Sequence, residues 1–196
     1  MLPFKKPQTD PFEAYYFKNA LSEQELLNLE TQFNTLEYEE AKVTDNATDV
    51  ITDINRRSQV KWVPHTHEWL WLYEKLHDMI LEANSSLWNF DLHSILEYAQ
   101  YTEYNSNQKG HYNWHVDLGP GDVGSLRKIS LTLQLSDSNE YDGGDLEFMY
   151  SSKTKKVPRE KGFCVLFPSY ITHRVSPVTR GIRKSLVLWS GGVPFK

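Results

Sequence analysis

His115-Val116-Asp117 sets an imidazole and a carboxylate two residues apart. On a strand, residues i and i+2 point to the same face. The two side chains therefore converge on one point, as two ligands of a metal do. A third ligand is available in His173, which lies just beyond a strand-like run that stops at Pro168. Two histidines and one carboxylate make the facial triad of non-haem ferrous sites, which leaves coordination positions open. The chain's single cysteine, Cys164, provides no thiolate cluster for structural zinc or iron–sulfur. Arg183 comes ten residues after His173. Its strand parity places Arg183, Ser185, Val187 and Trp189 on one face. An arginine pointing into a barrel needs a carboxylate partner, because an unpaired buried charge is costly. A diacid co-substrate would supply one.

The segments that must position these residues read mostly as short strands. Ile129, Leu131, Leu133 and Leu135 alternate with Ser130, Thr132 and Gln134, the pattern of a half-buried strand. Leu146, Phe148 and Tyr150 alternate after a Gly143-Gly144 turn. Phe163, Val165 and Phe167 alternate after Gly162, and Ile182 to Trp189 reads as a last strand. Before about Trp88 the grain is helical. Ser22 with Glu25 makes a capping box, followed by Leu26, Leu29 and Phe33 at helical spacing. After Pro64, Trp69, Leu72, Tyr73, Leu76, Ile80 and Ala83 form an apolar face of period 3.6. Residues Thr44 to Ser58 read as a long loop or short strands. The expected class is α+β, mainly β: a sandwich or jelly roll with two N-terminal helices packed on one outer face.

The chain has 196 residues, 39% hydrophobic and 24% charged, with a net charge of −5. That length fits one domain, 1–196, with helical support and loops over 1–87 and a strand core over 88–196. The acidic balance (pI near 5.8) disfavours nucleic acid and anionic membranes as partners. No apolar run has signal-peptide or membrane-spanning length, so a cytoplasmic protein is expected.

The ordered set His115-x-Asp117, His173 and Arg183 resembles the 2-oxoglutarate and Fe(II)-dependent dioxygenases, and most closely the prolyl 4-hydroxylase-like branch with its bacterial PKHD-type hydroxylases. Gly110-His111-Tyr112, Asp142-Gly143-Gly144-Asp145-Leu146, Phe167-Pro168-Ser169 and Pro177-Val178-Thr179-Arg180-Gly181 add to the likeness, which spans roughly residues 98 to 190. The resemblance implies a double-stranded β-helix (jelly-roll) fold and iron held by His115, Asp117 and His173. It implies 2-oxoglutarate bound by Arg183, with Tyr104 as a hydroxyl partner and Gln134 and Thr132 lining the pocket. O₂ is then the oxidant, with ascorbate as an optional reductant. It points to a prolyl residue of a peptide or protein as substrate, with succinate and CO₂ as co-products. Arg56, Arg57 and Trp62 fall in a region that often forms a mobile substrate loop in that family. The competing enzyme reading is a hydroxylase of a small molecule such as a free amino acid, or of a nucleobase. The competing reading of another class is a non-catalytic jelly-roll binding module. The sequence does not set the oligomeric state.

Several residues have plainer alternatives. His111 and His115, four apart, would make a zinc pair on a helix, but their flanks are strand-like. His65-x-His67 reads as a helix start. Arg180 reads as a solvated turn residue, and Lys153 to Lys161 as a solvated hairpin. Trp114 and Cys164 read as core.

Overall fold

The computed structural model describes residues 10–41, 43–45, 48–50, 54–95 and 97–195. Its strands are Tyr15–Phe17 (β1), Glu39–Glu40 (β2), Val43–Asp45 (β3), Thr48–Val50 (β4), Arg56–Arg57 (β5), Gln59–Val63 (β6), Leu92–Ile95 (β7), Ala99–Asn105 (β8), His111–His115 (β9), Arg127–Gln134 (β10), Tyr141–Gly143 (β11), Leu146–Tyr150 (β12), Lys153–Lys156 (β13), Cys164–Pro168 (β14), His173–Val175 (β15) and Val178–Gly192 (β16). Two helices, Glu23–Phe33 (α1) and Leu70–Ala83 (α2), precede the central strands.

Two antiparallel sheets make a jelly roll. The larger runs β1-β14-β10-β16-β8-β6-β2, and both β7 and β11 also pair with β16. The smaller runs β13-β12-β15-β9-β5. Strands β3 and β4 pair with each other. The long β16 organises the larger sheet. On one side it sets Arg183 opposite Tyr104, and on the other Ser185 opposite Gln134 and Val187 opposite Thr132.

The larger sheet is buried on both faces. Ile129, Leu131 and Leu133 pack outward with Leu166, Leu186 and Leu188 against α1 and α2. The capping box of α1 forms as its sequence predicts: the Ser22 hydroxyl accepts from the Glu25 amide, and Glu25 reaches back to the Ser22 amide at 2.7 Å. Leu29 of α1 and Leu72 and Leu76 of α2 have no exposed surface. Each such side chain contributes roughly 1.5–3 kcal/mol of burial free energy. The inner face carries Tyr104, Val165 and Phe167, which form a second apolar cluster with Phe148 of the smaller sheet. Ser130, Thr132 and Gln134 are buried as well. The expected half-buried strand is therefore a doubly buried one. Its polar side faces a polar interior rather than water, and sequence periodicity does not separate the two.

Strands also begin much earlier than residue 88. β1 joins the larger sheet through β14, β6 joins it through β8, and β5 extends the smaller sheet through β9. The stretch expected to be helices and loops thus supplies edge strands to both sheets. The substrate-loop region is strand too: Arg56 and Arg57 pair with Tyr112 and His111, and Trp62 pairs with Gln100. Of the stretch read as loop or short strands, β3, β4 and β5 are strands, and residues 46, 47 and 51–53 lie outside the described residues. No helix among the described residues is long and apolar enough to cross a membrane.

Candidate active site

Antiparallel pairing of β9 with β15 places His115 directly opposite His173. His173 is thus a strand residue, 6% exposed, rather than a rim residue beyond β14. Asp117 sits two residues past the end of β9, where its amide donates to the Ser169 carbonyl at 2.9 Å. That bond turns the chain so that the carboxylate meets both rings. His115 Nε2 lies 3.7 Å from Asp117 Oδ1, and His173 Nε2 lies 3.6 Å from Asp117 Oδ2. Ligand atoms of the three residues all fall within 4.8 Å of one another.

Backbone carbonyls set the tautomers. His115 Nδ1 is 2.7 Å from the Asn113 carbonyl, and His173 Nδ1 is 2.9 Å from the Ile171 carbonyl. A carbonyl only accepts, so each Nδ1 carries the proton and each Nε2 lone pair faces the centre. Burial and the neighbouring His173 push the His115 pKa well down. Burial alone would raise Asp117, but His173, His115, Arg127 and a Ser130 hydrogen bond outweigh it and hold its carboxyl at about 2. Two imidazole nitrogens and one ionised carboxylate are the donor set a ferrous ion takes. The outer partners are in place: Ser130 Oγ donates to Asp117 Oδ2 at 2.6 Å, and Ser169 Oγ stands 3.0 Å behind Ser130. Tyr112 stacks on His115 with ring centroids 3.5 Å apart.

The triad opens into a cleft of about 780 Å³ that Arg183, Tyr104 and Thr132 also line. Arg183 is 1% exposed. Its Nη2 donates to Gln134 Oε1 at 2.8 Å and its Nη1 to Ser185 Oγ at 3.3 Å, while Nε has no partner. The guanidinium lies over the Tyr104 ring at 5.4 Å. Among the described residues no carboxylate lies within ion-pair distance of it. A buried cation with neutral neighbours and an orphaned N–H fits a ligand carboxylate. The Gly143-Gly144 turn makes room for it. Gly144 has φ +61°, and a Cβ there would stand 3.1 Å from Arg183 Cδ.

The remaining residues singled out in the sequence divide. Arg56 and Trp62 border the cleft. Arg57 borders instead a smaller cavity of about 350 Å³. Gln134 stands behind Arg183 and holds it, without lining the cleft. Arg180 pairs with Asp142 at 2.6 Å on the exposed β11–β16 edge. Trp114, expected in the core, is half-exposed under the Arg174 guanidinium, because its parity turns it away from the triad toward the surface. His111 has carbonyl partners on both ring nitrogens and forms no pair with His115. His65 packs between Tyr73 and Tyr98. Lys153–Lys156 is an exposed hairpin strand. Cys164 is buried, and burial pushes its thiol up.

Sequence reasoning missed Arg127, Glu97, Ser130 and Ser169. Arg127 forms a bidentate pair with Glu97, donates to the Asp117 carbonyl at 3.2 Å and lies over Trp189 at 4.1 Å. Glu97 is thirty residues away in sequence, and no local pattern marks such a pair.

A jelly roll whose inner face carries a two-histidine, one-carboxylate centre beside a buried arginine defines a non-haem metal oxygenase class. The profile of the 2OG-Fe(II) oxygenase superfamily matches residues 99–191. A PKHD-type hydroxylase of Hyphomonas neptunium (strain ATCC 15444) is 30% identical over 182 residues, covering 88% of this chain and 75% of the relative. PKHD-type hydroxylase YbiX of Escherichia coli (strain 55989 / EAEC) is 29% identical over 182 residues, covering 89% and 76%. Two solved structures share the fold. A Pseudomonas putida prolyl-4-hydroxylase has TM-score 0.71 and 20% identity, covering 93% of this chain and 94% of that one. A Trichoplax adhaerens prolyl hydroxylase, in complex with a hypoxia inducible factor oxygen degradation domain peptide fragment, has TM-score 0.73 and 18% identity, covering 91% and 83%. The chain belongs to the 2OG-Fe(II) oxygenase superfamily, in its PKHD-type hydroxylase branch. It is a hydroxylase whose cofactors are Fe(II), 2-oxoglutarate and O₂.

Proposed function

We propose that residues 1–196 act as one catalytic domain that hydroxylates a prolyl residue of a peptide or protein and converts 2-oxoglutarate to succinate and CO₂. The observation that carries this is the sharing of one cleft by the His115, Asp117 and His173 donor set and by Arg183, a buried cation with no carboxylate partner among the described residues. In this reading His115 Nε2, His173 Nε2 and an Asp117 oxygen hold the iron. With iron and 2-oxoglutarate held there, O₂ would be the oxidant, one of its atoms going into succinate as 2-oxoglutarate loses CO₂ and the other into the C–H bond.

The chain's own residues do the rest. Arg183 takes the distal carboxylate of 2-oxoglutarate, and Gln134 and Ser185 fix the direction of its guanidinium. Thr132 and Tyr104 border the space between Arg183 and the triad. Ser130 holds the Asp117 carboxylate in place. Trp62 and Arg56 form the substrate side. The prolyl assignment is supported by the two structural relatives described above, both prolyl hydroxylases. The cytoplasm is the proposed compartment, in keeping with one free, buried cysteine.

The test uses enzyme with Fe(II), 2-oxoglutarate, air and ascorbate to keep iron ferrous. Peptides that contain proline are compared with the same peptides carrying alanine. The expected result is one oxygen atom gained on the proline peptide only, with matching succinate. Succinate formation that no proline peptide stimulates, with no peptide oxidised, would overturn the prolyl assignment.

A further inference from the structure

Arg56 is the second buried cation of the cleft, and the reaction as described sets it on the substrate side without answering its charge. It is 8% exposed. Its Nε donates to Ser58 Oγ at 2.8 Å and its Nη2 to Gln100 Oε1 at 2.7 Å. Its guanidinium lies 4.8 Å from the centre of the Tyr112 ring, the same ring that stacks on His115. Every one of these partners is neutral. Among the described residues no carboxylate comes within 4.0 Å of it, although Glu39 and Glu40 border the same cleft. The contrast is Arg127 in the same cleft, whose charge Glu97 meets with two bonds. A cation taken this far out of water without a counter-ion is costly unless a ligand provides one. Arg183 carries the same signature, and 2-oxoglutarate answers it. One dicarboxylate bound at Arg183 leaves the Arg56 charge unanswered.

We infer that Arg56 receives a carboxylate of the primary substrate, so that the hydroxylated carbon belongs to a molecule with an acidic group beside it. This deepens the hydroxylase reading and rests on it. Three sources share the chemistry: the α-carboxylate of a free amino acid, the C-terminal carboxylate of a peptide, and an acidic side chain next to the reacting residue. Ser58 and Gln100 hold the guanidinium from behind, as Ser185 and Gln134 hold Arg183. Both arginines are thereby pre-set for a ligand, which lowers the ordering cost of binding.

The experiment is calorimetric titration of the full chain loaded with Mn(II) and 2-oxoglutarate. Three probe pairs separate the sources: L-proline against L-prolinamide, Ala-Ala-Pro as acid against its amide, and a capped peptide with Asp-Pro against one with Asn-Pro. The expected result is that the carboxylate member of at least one pair binds about tenfold or more tightly, as suits a charge-assisted bond. That preference collapses in Arg56→Gln, persists in part in Arg56→Lys, and survives in Arg57→Gln. Equal binding within all three pairs by the wild type would overturn the inference, as would a preference that survives in Arg56→Gln. The wild-type pairs and the lysine variant decide the matter even if the glutamine variant fails to fold. A protein that takes up 2-oxoglutarate but shows no preference refutes the role of Arg56 alone. One that takes up no 2-oxoglutarate refutes the reading beneath it.

Discussion

Ser130→Ala deletes the hydroxyl that donates to Asp117 Oδ2 at 2.6 Å. Both groups are buried: Ser130 has no exposed surface and Asp117 is 8% exposed. A hydrogen bond to a charged group contributes about 1.5–3 kcal/mol. Outer partners of metal ligands typically change metal affinity about 10- to 100-fold. At about 1.4 kcal/mol per tenfold the two magnitudes agree. The substitution is therefore expected to weaken Fe(II) or Mn(II) binding about 10- to 100-fold with the fold intact. Ser169→Ala is the control. Its hydroxyl reaches Ser130 rather than the carboxylate, and its backbone carbonyl still accepts from the Asp117 amide. Its loss should be smaller. Metal affinity is read by anaerobic calorimetry, and far-ultraviolet circular dichroism reports the fold. A folded Ser130→Ala protein within about twofold of wild-type metal affinity would refute the view that this hydroxyl orients the ligand.

Arg183→Met removes a buried charge with no counter-ion among the described residues, so melting of the ligand-free protein should hold or rise, while the stabilisation given by 2-oxoglutarate disappears. Thermal scans with and without 2-oxoglutarate check both halves, and an undiminished ligand shift in the variant would move the clamp elsewhere. Gly144→Ala combines φ +61° with a Cβ 2.9 Å from Val178 Cγ2 and 3.1 Å from Arg183 Cδ. It should cost about 1–3 kcal/mol in urea unfolding and raise the 2-oxoglutarate KM, and a neutral result on both would show that the turn adapts. Cys164 has no exposed surface and a raised thiol pKa, so a thiol reagent should label it only on the unfolding timescale, and rapid labelling of native protein would contradict its burial.

The site proved more legible than its support. His115, Asp117, His173 and Arg183 could be picked out because each is a chemically marked residue at a telling spacing. Period two also located β10, β12 and β14, whose apolar faces are long enough to show. Period two alone did not place the polar side of β10, because a row of Ser130, Thr132 and Gln134 looks the same whether it faces water or a polar cleft; the family resemblance put Thr132 in the pocket, where it lies. The edge strands β1 and β5 are too short for any period, and they form only because β14 and β9 lie far along the chain to receive them. Ser130, Ser169 and Arg127 escaped for a similar reason. Their partners are distant in sequence, and serine and arginine carry no mark of what they will touch.

Binding of Fe(II) and 2-oxoglutarate together, before any oxygen is admitted, tests the central claim most directly. The account predicts a weak visible charge-transfer band that needs both additions and is lost in Asp117→Ala and in Arg183→Met, followed by succinate once air enters. Folded, iron-loaded protein that shows neither band nor succinate would contradict it.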